Sequence, residues 1–155
     1  MLGYHPPVGF HFIVRFNGIE DSQLDTMFQT VSGLSASIET EEVGFGGENR
    51  YKHILPVRTK YANLVLKRGM LLESKLIDWF RDALENFEFK PVDLTITLLS
   101  EQHVPLMTWN VVHAYPVKWD IEEFNSMESK VVAETIELAY HHFTTLSIVD
   151  KIQSL

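Results

Sequence analysis

From Val8 to Phe16 the chain alternates with a period of two: Val8, Phe10, Phe12, Val14 and Phe16 share one face, and Gly9, His11, Ile13 and Arg15 the other. Successive side chains of a strand point to opposite faces, so this pattern predicts a β-strand. The extended His5-Pro6-Pro7 leads into it and the tight-turn pair Asn17-Gly18 closes it. Ile13 on the second face points to a second apolar surface. Residues 26–40 predict another strand, broken at Ser32-Gly33. Glu39–Lys52 changes character: Glu39, Glu41 and Glu42 run into Gly44, Gly46 and Gly47, then Asn49-Arg50-Tyr51-Lys52. Glycines flanked by charge predict a long loop or hairpin tip there. His53–Val57 and Tyr61–Lys67 are expected strands, with Arg68-Gly69 closing the second.

One helix is predicted. Leu72, Leu76, Ile77, Trp79, Phe80, Ala83, Leu84 and Phe87 recur at spacings of three and four, with Glu73, Lys75, Asp78, Arg81, Asp82 and Glu85 opposite. Asn86 is a suitable stop, and Pro91 prevents continuation. At 1.5 Å per residue the element is about 20 Å long, with one broad apolar stripe to lay against a sheet. Val92–Leu99 alternates again, Ser100–Pro105 is a polar connection, and Leu106–Tyr115 returns as a strand, which predicts a hairpin. Tyr115–Trp119 is extended and aromatic, and Asp120–Ser129 is an acidic loop. Lys130–Thr145 fits both periods; the β-rich surroundings favour strand. Ser147–Leu155 has helical spacing but is too short to be stable alone. No repeat or linker divides the chain, so 1–155 reads as one domain.

Composition narrows the function classes. The chain of 155 residues is 45% hydrophobic and holds ten Phe, five Tyr and three Trp, which excludes intrinsic disorder. It has no cysteine, hence no disulfide framework, thiolate metal site or thiol nucleophile. Its 13 basic and 21 acidic side chains give a formal charge of −8, which disfavours stable nucleic-acid binding. Neither a signal peptide nor a membrane span is evident.

Catalytic and metal patterns are missing too. His141 and His142 are adjacent and face opposite ways on a strand; His5, His11, His53, His103 and His113 lack ligand spacing, and no HExxH occurs. Gly44-Phe45-Gly46-Gly47 matches neither a P-loop nor a dinucleotide fingerprint, and no GxSxG occurs. Lys67-Arg68 is expected at a strand-end turn. The expectation is a protein without catalysis, cofactor or metal.

The ordered motifs are more informative. Tyr4-His5-Pro6-Pro7-Val8-Gly9-Phe10-His11-Phe12 resembles the opening of tube proteins from contractile phage tails and phage-tail-like injection systems. Phe28-Gln29-Thr30-Val31-Ser32-Gly33-Leu34 is similar to the family's F-x-x-V-S-G-L, and Asn63–Gly69 to its N-x-x-L-K-x-G. Trp79 sits where a helix Trp is usual. Trp109-Asn110 with Ala114-Tyr115-Pro116-Val117-Lys118 resembles its W-x-x-x-x-A-x-P-x-K, and Glu134–Ala139 its final strand. The resemblance covers residues 4–143, leaving Thr144–Leu155 as an extension that reads equally as a spike or baseplate contact and as a packing tail.

That resemblance implies a mainly β fold with one flanking helix, in which two packed antiparallel sheets form a small tail-tube-type β-barrel, and it places Lys130–Thr145 in a strand. It implies homo-hexameric rings stacked into a hollow tube within a sheath, assembled in the bacterial cytoplasm as part of a phage tail or phage-tail-like particle. The Pro-Pro-x-Gly-Phe-x-Phe opening and the Leu-Lys-Arg-Gly-Met run look closer to baseplate-proximal tube initiators. The expected contacts between rings or subunits are Glu41, Glu42, Arg50 and Lys52 for register and Gly44, Phe45, Gly46 and Gly47 for reach. Tyr115, Pro116 and Trp119 are further contact candidates, weighed evenly against ordinary packing. DNA or acidic cargo in transit through a lumen is compatible with the charge. The competing class is a ligand-binding small β-barrel, which predicts a closed apolar cavity.

Overall fold

The structure, a computed structural model, describes residues 11–19, 27–44, 53–69, 75–122 and 132–147. In chain order the elements are β1 (His11–Phe16), β2 (Met27–Phe28), β3 (Thr30–Ser32), β4 (Ala36–Val43), β5 (His53–Tyr61), β6 (Leu64–Gly69), α1 (Lys75–Asn86), β7 (Val92–Leu99), β8 (Pro105–Ile121), β9 (Ala133–Ala139) and β10 (His142–Ser147). The architecture is mainly β with one helix, as expected. Among the described residues all strand pairs are antiparallel.

Strand β8 organises the molecule because it belongs to two half-sheets. Its first half lies between β7 and β10; its second half pairs with β9, giving the order β2-β1-β7-β8-β9-β6-β3 with β10 beside β8. Three register shifts interrupt its ladders, one near its start at Pro105–Met107 and two near its middle. Opposite Asp93, β8 carries an extra residue: the register shifts from Val92↔Ala114 to Leu94↔Val111, and His113 takes a left-handed φ of 60°. The His113 N–H donates to the Asp93 carboxylate at 2.9 Å, so a side chain supplies the bond that the bulge removed. The other mid-strand shift falls between Pro116 and Lys118, where the proline has no N–H to give to a ladder.

The ends of this curled sheet are bridged by one segment. Residues 27–28 pair with β1, while residues 30–32 pair with β6, and the intervening Gln29 N–H donates to the Lys67 carbonyl at 2.9 Å. The expected strand over 26–40 is therefore three pieces, because the chain must change partners at Gln29 and again at Gly33. Alternating positions fill the interior: Val14, Leu64, Leu66, Leu94, Ile96, Val111, Ala114, Ile136 and Leu138 are all buried. Helix α1 packs on β8 with Leu76, Ile77, Trp79, Phe80 and Ala83 inward. The Trp79 ring meets Phe16 and Phe80, and its indole N–H donates to the Lys90 carbonyl at 2.8 Å. The helix ends at Asn86, as expected: Phe87 turns left-handed with φ 54°, and the Glu88 N–H reaches back to the Asp82 carbonyl at 2.9 Å.

Three expectations are corrected. Glu39–Val43 and His53–Tyr61 are arms of a strand pair, so the loop expected over Glu39–Lys52 shrinks to what lies between them. Arg68-Gly69 is no turn: both residues stay in β6, paired with Glu134 and Ala133. Lys130–Thr145 is two strands with a corner at Tyr140-His141, and β10 runs into the supposed extension as far as Ser147. The expected elements over Asp120–Ser129 and Ser147–Leu155 lie largely outside the described residues, as do Val8–Phe10 and Leu72.

Arg68 explains why β6 continues. It and its cross-strand neighbour Glu134 are 2% and 1% exposed, and the Arg68 Nε–H donates to Glu134 Oε2 at 2.9 Å. The second carboxylate oxygen accepts the Trp119 indole N–H at 2.6 Å, and the guanidinium lies 5.1 Å from the centre of the Phe28 ring. Removing one partner strands a charge in the core, whereas removing both does not. Glu134→Ala is therefore expected to cost about 3–5 kcal/mol in urea unfolding, with most of the loss recovered in the double variant Arg68→Met/Glu134→Leu. Gly33 is equally constrained: at φ 87°, an added Cβ would sit 1.9 Å from the Asn63 carbonyl oxygen. In the same assay Gly33→Ala is expected to lose about 2 kcal/mol or more, from the strained φ and the clash together.

Candidate assembly surface

The β4–β5 hairpin is a two-stranded sheet of its own, separate from the main sheet. Its register runs from Ala36↔Tyr61 to Val43↔His53, with the extra residue Val57 on β5 opposite the Glu39-Thr40 step. It is anchored at its root. There Tyr61 packs edge-on against Phe143 with ring centres 5.2 Å apart and tilts against Tyr140 at 5.9 Å. Burial, with the neighbouring Tyr61, pushes the Tyr140 hydroxyl up to about 12, so it stays protonated and points at the Gly33 carbonyl, 3.3 Å away. Gly33 and Asn63, from two separate sequence motifs, thus meet beneath the hairpin, and Asn63 Nδ2 donates to Glu137 at 3.1 Å.

Beyond the root the hairpin is exposed on both faces. Cross-strand partners share a face, so Ile38, Ile54 and Pro56 lie on one side, while Ser37, Lys60, Glu39 and Arg58 lie on the other. Ile38 and Ile54 are each 63% exposed, and Val57 and Leu55 about half exposed. Isolated two-stranded hairpins are marginal in water, so apolar side chains left out at this density mark a surface meant to be covered. On the polar face Arg58 holds Glu39 in an ion pair; the hydrogen bond and the charge of Arg58 together lower the Glu39 carboxyl below its usual range.

The expected contact residues divide into three groups. Glu41 and Glu42 stand exposed on β4, opposite Leu55 and Ile54, and Gly44 follows the strand with open space around it. Phe45, Gly46, Gly47, Arg50 and Lys52 lie outside the described residues. Tyr115, Pro116 and Trp119 are used within the subunit. Pro116 is fully buried, Trp119 is committed to Glu134, and Tyr115 packs its ring against Phe89 at 5.9 Å. All three make packing contacts inside the subunit. Composition alone did not flag Ile38, Ile54 and Val57; the available signal was β-branched residues interleaved with charges across 36–60.

The histidines form pairs that linear spacing could not reveal. His11 Nε2 and His103 Nδ1 are 2.8 Å apart, brought together by the β7–β8 turn, where His103 has φ 62°. His113 stacks on His141 at 4.1 Å, at the bulge. Among the described residues no group of three or more metal-ligating side chains forms, and no helix is long and apolar enough to cross a membrane. A shallow groove of about 400 Å³, lined by Gly18, Ile19, Lys75, Asp78, Trp79, Asp82 and Lys90, lies beside α1. It is open and carries charge, unlike the closed apolar cavity of a ligand-binding barrel.

Comparison with known proteins agrees with this picture. Residues 8–144 match the family model of the T4-like virus tail tube protein gp19. No curated protein matches the chain. A chain in the cryo-EM structure of the anti-feeding prophage baseplate, 6-fold symmetrised, is 30% identical over 94% of this chain and 99% of that one, with a TM-score of 0.75. A chain in the sheath-tube complex of an extracellular contractile injection system, PVC, in the extended state, is 26% identical over 92% and 93%, with a TM-score of 0.73. Hcp1 from Flavobacterium johnsoniae shares the fold alone, at 13% identity over 88% and 95% and a TM-score of 0.53. This chain belongs to the T4-like gp19 tail tube family and is a structural tail tube protein, not an enzyme.

Proposed function

We propose that the chain forms homo-hexameric rings that stack into the hollow inner tube of a contractile injection system, at the baseplate-proximal end where tube joins spike. The observation that carries this reading is the β4–β5 hairpin, which projects from a completed core with its apolar side chains uncovered. A subunit whose working part is a bare arm needs a neighbour. Contacts between two different surfaces, repeated by a closing rotation, produce rings. The 30% identity to a chain of a six-fold baseplate structure supports both the ring and its position, and the opening Pro-Pro-x-Gly-Phe-x-Phe supports the position. Stacked rings, a surrounding sheath and spike or baseplate proteins are its partners, and the particle assembles in the bacterial cytoplasm.

The segment between β4 and β5 reaches the next ring in this reading. Gly44–Gly47 provide the extension, and Glu41, Glu42, Arg50 and Lys52 set register by pairing across layers. Charge makes the requirement strict. A six-membered ring carries a formal −48, six times −8, so layers must pair acids with a neighbour's bases or point them away. An acidic lumen lets DNA or acidic cargo slide through without sticking.

Two outcomes test the reading. Exposed charge pairs are screened within about 8–10 Å at physiological salt, whereas main-chain pairing is not. Stacks are therefore expected to shorten as salt is raised while single rings persist, as seen by negative-stain microscopy; stacks indifferent to salt would remove the charged-loop account. Deleting Gly44–Gly47 is expected to leave folded subunits or rings that no longer stack, and normal tubes from that deletion would exclude the loop. Microscopy of the purified chain with and without a spike protein distinguishes an initiator, which caps the spike, from a main tube subunit, which does not.

A further inference from the structure

We infer that His11 and His103 form a site for one first-row transition-metal ion of the Zn²⁺ type, held by two imidazoles and completed by solvent. The site belongs to the single subunit and does not depend on the ring reading. The two residues are 92 positions apart in the chain. Pairing of β1 with β7 sets His11 opposite Leu99, and the β7–β8 turn that follows carries His103 back to it. His11 Nε2 and His103 Nδ1 stand 2.8 Å apart, with the ring planes at 70°. A ring nitrogen's N–H or lone pair lies in the plane of its ring, so two nitrogens at this distance address the same small volume. A tetrahedral ion at about 2.1 Å from each nitrogen needs them about 3.4 Å apart, so the rings have only to part by about 0.6 Å. His103 is exposed and His11 half-buried, so an ion reaches both from solvent.

The turn holds His103 in place. The Ser100 N–H donates to the Val104 carbonyl and the His103 N–H to the Ser100 carbonyl, both at 2.9 Å. The Ser100 hydroxyl oxygen accepts the Gln102 and Val104 N–H groups at 3.3 and 3.1 Å. Inside this frame His103 takes a left-handed φ of 62°, a conformation that glycine or asparagine adopts at less cost. The other histidine pair shows what a site requires. His113 and His141 stack at 4.1 Å with planes only 26° apart, so their in-plane lone pairs run nearly parallel and do not converge on one ion. Donor chemistry selects the ion. Neutral imidazole suits Zn²⁺, Cu²⁺ and Ni²⁺, whereas Ca²⁺ and Mg²⁺ require oxygen ligands. Among the described residues no third metal-ligating side chain joins the pair, so this preference rests on the two rings alone. Without the ion, one ring donates its N–H to the other. On loading, that proton passes through solvent to the far nitrogen of the same ring, and both facing nitrogens offer lone pairs to the metal. The ion then clasps the β7–β8 turn to the start of β1 and stabilises the folded subunit by mass action.

Calorimetric titration of the untagged full chain with ZnCl2 near neutral pH tests the site, with MgCl2 as the hard-ion control. One Zn²⁺ per subunit is expected, and no uptake of Mg²⁺. His11→Gln and His103→Asn are each expected to weaken zinc binding at least about ten-fold, since loss of a mere outer-shell partner already costs that much. Asparagine tolerates the left-handed φ, so the second variant removes the ligand and keeps the turn. His141→Gln is expected to bind as the parent does. Tm is expected to rise with ZnCl2 in the parent and in His141→Gln, and to stay unchanged in the other two. With Cu²⁺ in place of Zn²⁺, the nitrogen splitting in the electron paramagnetic resonance spectrum is expected to report two imidazoles. A parent chain that takes up no zinc would overturn the site. So would zinc binding that survives His103→Asn, binding that is lost with His141→Gln, or a copper spectrum with a single imidazole.

Discussion

The fold turns on one buried ion pair. Arg68 and Glu134 face each other across β6 and β9, and their remaining contacts reach Trp119 on β8 and the Phe28 ring on β2. Four strands are thus tied at a single point in the interior. The pair is stabilising only while both members are present and hydrogen-bonded, because an uncompensated buried charge is costly. This makes register strict: a one-residue slip of β9 against β6 would move Glu134 to the opposite face and leave Arg68 alone. The position of β8 after its bend, and with it the place where β10 departs, follows from that register. Nearby, Lys67 reaches Glu122 at 2.5 Å from the other side of β6, so the strand end is held on both faces.

Among the described residues, the β4–β5 hairpin is the one sheet outside the body so fixed. Gly33 and Asn63 touch too closely for any side chain on Gly33, which holds the two root strands together as they leave the core. Tyr61, Tyr140 and Phe143 pack around that root. The packed root sets the direction of the arm, whose apolar side chains stay uncovered within the subunit. As a structural tail tube protein, the chain needs no catalytic group.

The strands that alternate cleanly were legible in the sequence. Val92–Leu99 appears with its expected bounds, β1 lies within Val8–Phe16, and the helix stops at Asn86. Each depends on local periodicity, which one element carries by itself. Arg68-Gly69 was not legible as strand, because a basic residue beside glycine reads as a turn unless Glu134, distant in sequence, is known to lie opposite. Trp119 and Pro116 look like surface aromatics and a break for the same reason. The hairpin was half legible: the charge-to-glycine transition marks its far end at Gly44, but Glu41 and Glu42 stay in strand β4, and the apolar face of Ile38, Ile54 and Pro56 emerges only once the strands are paired.

By itself, then, the sequence determined the class of the protein: a cysteine-free, acidic, β-rich domain with one helix, carrying the ordered motifs of the tail tube family and no catalytic set. Those properties are sums over residues or local spacings, so they survive without a partner strand in view. Only the tertiary structure decided which motifs meet, where Gly33 lies against Asn63 and His113 on His141. It alone decided that Arg68 is closed into the core against Glu134 and that, among the described residues, β10 and both strands of the hairpin keep an open side. Strand pairing is a contact between segments far apart in the chain, and which edge remains open depends on how every other edge has been satisfied.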